Sequence, residues 1–324
     1  MKYCIILASL LLFSVPPLHS FQYAAGLDHK TLYAVTTVND STAIAVGESG
    51  VTARTSDGGK HWIYIPSTQH QKNDLLALSF VNNLTGWAVG VQGTILQTIN
   101  GGKSWIQHHS ISNKDFTGIQ FISLSIGWIV GTDGIILKTT DAGKSWHRLH
   151  MFTTDNLWGL QFLDKKIGWA IGQSGDIFKT TDSGITWKFE TTKLTIAYLG
   201  LHFVDPDTGW IAGGYGAILK TTNGGTSWER QNLIKGYLVF KTKNFHYSIN
   251  FFDSQTGIAI GSIGTIMRTV DGGDNWDQLD GPTDELLRSF HAANHKVGWA
   301  VGAHGTILKT TDSGQTWDVQ APAQ

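Results

Sequence analysis

Asp74, Asp115 and Asp155 each stand one or two residues ahead of a short apolar run, at nearly equivalent places in three successive stretches of the chain. Carboxylates gathered at the mouth of a groove, one with a raised pKa, can serve as the acid and base of a glycoside hydrolase. The plainer reading is a set of solvated residues at strand entries. Other chemistries find less support. The histidines are scattered and suggest no metal set, and neither a serine-nucleophile nor a phosphate-loop signature is present. A sialidase would need clustered arginines, but only Arg54, Arg148, Arg230, Arg268 and Arg288 are available. No cofactor is expected. With 24 Lys+Arg against 25 Asp+Glu and a net charge of −1, the chain lacks the footprint of a nucleic-acid binder.

The first residues read as a targeting signal. Lys2, the apolar run Ile5 to Val15 and then Pro16-Pro17 are too short to span a bilayer, so residues 1–20 are expected to be a cleaved secretory signal, with Ala25 as the alternative cut. The single cysteine, Cys4, lies inside that segment, so thiol catalysis and disulfides are excluded from the remainder. Residues 21–324 are expected to form one exported, monomeric domain without a membrane span.

The elements that position these residues are repeated. The string from Ala217 to Trp228 recurs seven times, ending at Trp62, Trp105, Trp146, Trp187, Trp228, Trp276 and Trp317, and four of the six intervals are 41 residues. Ahead of each lies a pair of glycines three apart, from Gly47/Gly50 to Gly302/Gly305. Gly-Trp precedes five of these pairs, as in Gly168-Trp169. Of the 13 Trp, 12 occupy repeat positions, leaving Trp158 as the exception. Each copy holds four short runs separated by turn residues, with no helical periodicity. That pattern predicts an all-β, seven-bladed β-propeller with four-stranded antiparallel blades. In the first run, one position carries only Ala34, Ala77, Gly118, Gly159, Gly200, Ser248 and Ser289, small enough for strands crowded round an axis. Two residues on stand Thr36, Ser79, Gln120, Gln161, His202, Asn250 and His291, expected to form a polar ring facing a wet channel.

The turn before each repeat Trp resembles the Asp-box, Ser/Thr-x-Asp-x-Gly-x-Ser/Thr-Trp. Its acid or amide is Asp57, Asn100, Asp141, Asp182, Asn223, Asp271 or Asp312, while His61 and Asn275 depart at the hydroxyl position. An Asx side chain is expected to accept from backbone N–H groups one to three residues on, making all seven structural. The whole unit, over residues 31–319, resembles the photosystem II stability and assembly factor family of exported seven-bladed propellers. The resemblance implies a non-catalytic scaffold that binds protein partners, in the thylakoid lumen of a photosynthetic host and otherwise periplasmic or extracellular. Asp-box propellers also include carbohydrate-active enzymes, so a glycosidase using Asp74, Asp115 and Asp155, or a carbohydrate-binding propeller using an exposed Trp158, stays open as the alternative.

Departures from a repeat are where function is grafted. The interval from Trp228 to Trp276 is 48 residues, and the extra length holds Lys235, Tyr237, Phe240, Lys241, Lys243 and Phe245, cations among aromatics without an acid. The second residue inside each glycine pair also varies: Ser49, Gln92, Asp133, Ser174, Tyr215, Ile263 and His304. Tyr215 and Ile263 flank the insertion. A partner-binding patch is expected there, on the face that carries these turns.

Overall fold

The computed structural model describes residues 30–65, 72–151, 153–192, 194–233 and 244–320. Because apolar residues alternate in runs of four to six between turn-forming glycines, the chain pairs locally into antiparallel meanders. The described residues form seven sheets, contiguous in sequence, covering 32–65, 75–107, 116–148, 157–190, 198–230, 246–279 and 287–319 as blades 1 to 7. Blade 4 shows the pattern: Leu157–Phe162, Gly168–Gly172, Ile177–Thr180 and Lys188–Glu190, each paired antiparallel to the next. Blade 6 has a fifth strand, Asn232–Leu233, which leaves the end of blade 5 and pairs parallel to Asn275 and Trp276 on the outer edge of blade 6. The insertion therefore begins by tying two blades together. No strand is exchanged between the chain ends among the described residues; the segment Phe21 to Ala25 and the signal at 1–20 lie outside them.

Blades are joined by an aromatic lock built from the repeat residues. Phe162, at the end of the innermost strand of blade 4, stacks at 3.7 Å on Trp128 of blade 3 and meets Trp187 of its own Asp-box edge-on at 5.9 Å. Phe121, Phe203 and Phe251 repeat the arrangement. Each such contact contributes about 0.5–1.5 kcal/mol beyond the area it buries. Flat stacking explains the glycine before the repeat tryptophan: a Cβ on Gly168 would lie 2.5 Å from the Phe162 ring.

The Asp-box turns fasten each blade to the one before it. In blade 3, Asp141 accepts from the Ser145 N–H at 2.9 Å and from the Ser145 hydroxyl, while the Thr139 hydroxyl accepts from the Gly143 N–H. The acceptor thus reaches four residues on in all seven boxes, rather than the one to three expected. His61 and Asn275 keep the missing hydroxyl's role by bonding Asp57 and Asp271 through side-chain nitrogen. Trp87, Trp128, Trp169 and Trp210 donate their indole N–H to the box turn of the next blade. Third-strand cations follow the same rule: Arg54, Lys138, Arg268 and Lys309 donate to carbonyls of the next box turn, which assigns two of the five arginines to the repeat.

The polar ring is also a fastening. Gln120 and Gln161 each hold both the N–H and the C=O of the neighbouring blade's Phe162 and Phe203. Ser79, Asn250, His202 and His291 bridge likewise to Phe121, Ala292, Asn250 and Thr37. These side chains also reach sideways to the neighbouring blade, a role beyond the expected channel lining, in which Asn250 and His291 do take part. Closure of blade 7 on blade 1 uses the same devices: His291 to Thr37 at 2.8 Å, Lys309 to the Gly58 carbonyl at 2.7 Å, and Trp62 edge-on to Trp299 at 5.4 Å.

Candidate functional site

The seven small residues Ala34, Ala77, Gly118, Gly159, Gly200, Ser248 and Ser289 line a central cavity of about 420 Å³, as their size requires. One step earlier on each innermost strand the side chains are large and unlike: Tyr33, Leu76, Thr117, Trp158, Leu199, Tyr247 and Arg288. They ring the mouth on the face that carries the glycine-pair turns. Trp158 is half-buried in this wall rather than exposed, and its indole N–H is buried without an acceptor.

Arg288 is the unusual member. Its guanidinium carbon lies 4.5 Å from the centre of the Tyr247 ring and 5.8 Å from that of Tyr33. The Nε is buried without a hydrogen-bond partner, and no ion pair or hydrogen bond to this side chain occurs among the described residues. Burial raises the Tyr33 hydroxyl pKa, with Asp74 and Glu48 adding to the effect and Arg288 opposing it. From Tyr247 the aromatic surface runs outward, to Phe245 at 5.9 Å and on to Tyr215 at 6.5 Å.

Tyr215 and Ile263 sit at turn tips, 63% and 68% exposed, with φ of 55° and 53°. All seven tips share this left-handed conformation, but a β-branched residue in it is a rarity. Phe245 joins Tyr215 to the mouth. The other members of the anticipated patch, Lys235, Tyr237, Phe240, Lys241 and Lys243, lie outside the described residues.

The three acids are not brought together as a set. Asp74 accepts from the Ser49 N–H at 2.8 Å and Asp115 from the Gln92 N–H at 2.9 Å, each pinning the tip of the preceding blade. The equivalent position in blade 4 is Asn156, which holds the Asp133 N–H at 3.1 Å, so Asp155 is out of register. Asp155 instead lies near Asp176, a carboxyl that the sequence reading missed. Asp176 is buried and its pKa is raised by desolvation, partly offset by a hydrogen bond from Thr153 at 3.2 Å. Its counterparts in other blades are apolar or Thr, such as Ile135 and Thr306, so a periodic alignment would have exposed it. Burial lowers the pKa of His202, His246 and His291 to about 4, leaving them neutral at pH 7. Among the described residues no three His, Cys, Asp or Glu side chains converge on a metal position, and no helix is long and apolar enough to cross a membrane.

Comparison with known proteins agrees with this architecture. The family model described as photosynthesis system II assembly factor YCF48 matches residues 66–154, 149–236, 191–280 and 236–321, together most of the chain. The structure titled "YCF48 bound to D1 peptide" is similar at 18% identity and a TM-score of 0.72, over 88% of this chain and 92% of that one. YCF48 from Cyanidioschyzon merolae gives 15% and 0.70 over 89% and 97%. A GH74 xyloglucanase from Xanthomonas campestris shares the fold at 10% and 0.75, over 94% of this chain but only 55% of the enzyme. No curated protein matches the sequence. The match of that family model over most of the chain, on seven Asp-box blades, makes this chain a member of the photosystem II assembly factor YCF48 family.

Proposed function

We propose that this propeller is an exported, non-catalytic scaffold that holds a protein client on its tip face beside blades 5 and 6, in the manner of an assembly factor. The observation that carries the reading is Tyr215, exposed at its tip and continuous through Phe245 with the aromatic mouth of the channel, with Ile263 exposed at the tip of the next blade. Exposed aromatic surface next to steering charge is the chemistry of a protein interface, and Lys235, Lys241 and Lys243 of the insertion supply such charge. That a structure of a family member is titled as bound to a D1 peptide supports a polypeptide client, with the thylakoid lumen as the compartment in a photosynthetic host. Export rests on the signal read at residues 1–20. A carbohydrate-active hydrolase is the second reading, supported by buried Asp176 beside Asp155 and by the likeness to the xyloglucanase fold.

Replacing Tyr237, Phe240 and Lys241 together is expected to abolish co-purification of the client from the native host while the propeller keeps its melting temperature. An unchanged set of partners on a folded variant contradicts the reading.

A further inference from the structure

The channel mouth contains a cation that no acid pairs among the described residues. Arg288 carries five N–H donors and a full positive charge, and its guanidinium carbon lies 4.5 Å from the Tyr247 ring centre and 5.8 Å from that of Tyr33. Nothing among the described residues pairs with it, and its Nε has no access to water. Asp74 accepts from the Ser49 N–H and from the Tyr33 hydroxyl at 3.4 Å, and forms no ion pair with the guanidinium.

The terminal nitrogens of Arg288, unlike its Nε, are not shut off from the cavity, and a guanidinium without an acid partner is completed by an anion from outside the chain. A planar, rigid fork with one free edge matches a carboxylate, to which guanidinium binds through two parallel hydrogen bonds. A cation is repelled, and a single arginine on a chain of net charge −1 gives no track for a polyphosphate backbone. The aromatic line from Tyr247 through Phe245 to Tyr215 adds a direction. Its three steps, 4.5, 5.9 and 6.5 Å, are covered by at most about five residues of extended chain.

We propose that Arg288, held between Tyr247 and Tyr33, is a carboxylate receptor that anchors one end of an extended client segment, whose apolar side chains lie along Tyr247, Phe245 and Tyr215. The proposal rests on the protein-binding reading above and names its anchor. The carboxylate comes either from a chain terminus or from an acidic side chain.

The test uses the whole protein and three fluorescent pentapeptides built from leucine and alanine: one with a free C-terminal carboxylate, one amidated, and one amidated with an internal glutamate. At least one carboxylate peptide is expected to bind ten-fold or more tightly than the plain amide. Which one does so identifies the source of the carboxylate. Arg288→Met is expected to erase that difference, and Tyr215→Ser to weaken all binding severalfold while preserving it. A melting temperature within a few degrees of the parent shows that each variant is folded. Equal binding of the three peptides, binding of none, or a carboxylate preference that survives in folded Arg288→Met overturns the proposal. If client capture persists in folded Arg288→Met, the anchor fails and the scaffold reading stands; if capture is lost both in Arg288→Met and in the joint Tyr237, Phe240 and Lys241 variant, the two readings stand together.

Discussion

At the residue scale, the histidines of the inter-blade ring set a pH response. His202 hydrogen-bonds Asn250 at 3.1 Å and His291 bonds Thr37 at 2.8 Å, both within walls that hold their pKa near 4 against an ordinary 6.5. The unfolded chain takes up these protons below pH 6.5 and the native state does not until about 4. Stability is therefore complete above pH 6.5 and declines as pH falls toward 4. The Asp-box acids act in a separate window. Backbone and side-chain hydrogen bonds lower Asp57 and Asp141 to about 2, so their contribution is present above the ordinary 3.8 and is lost only as pH falls toward 2. Gln120 and Gln161 do the same stitching in blades 3 and 4 without a titrating group. The double variant His202→Gln, His291→Gln is accordingly expected to fold and to show a shallower fall in melting temperature between pH 6.5 and 4.5, measured by scanning calorimetry. An undiminished fall would place the titration elsewhere, with His246 the remaining buried candidate.

At the scale of the element, one blade is a meander whose inner residues are chosen by the neighbouring blade. Gly168 exists because Phe162 must lie flat against Trp128, and a Cβ there would sit 2.5 Å from the ring. Gly168→Ala is expected to cost about 1–3 kcal/mol, the usual price of overpacking, read as a lower denaturation midpoint in urea with an unchanged slope. These elements were legible in the sequence because a repeat reports the same constraint seven times. The pattern of blade 4 reads as runs over 157–162, 168–171, 176–181 and 186–189, within two residues of its strand limits, and the small residues at Ala34 through Ser289 do line the axis. Two features were hidden. Alternation says which side of a strand a residue occupies, but not that a neighbouring strand edge waits there, so the stitching by the Gln and His ring is invisible in the sequence. The mouth residues Tyr33, Trp158, Tyr247 and Arg288 hold no common residue type across the seven copies and come from blades 1, 4, 6 and 7, so only closure of the ring brings them together.

At the scale of the whole molecule, the propeller separates two faces with different duties. Asp-box turns on one face are consumed by lateral bonds between blades. The tip face is fastened by Asp74, Asp115 and Asn156, yet leaves Tyr215 and Ile263 exposed beside the channel mouth. Large apolar side chains also protrude on the box face, as at Ile185, 68% exposed. The basis for assigning the client to the tips is the run of aromatic contacts from Tyr215 through Phe245 and Tyr247 to the channel mouth. The most direct measurement places a photo-crosslinking residue at Ile263 or, separately, at Ile185, in the protein expressed in its own host. The account predicts one defined client adduct from position 263 and none from position 185. Adducts of equal yield at both positions, or from 185 alone, would contradict it.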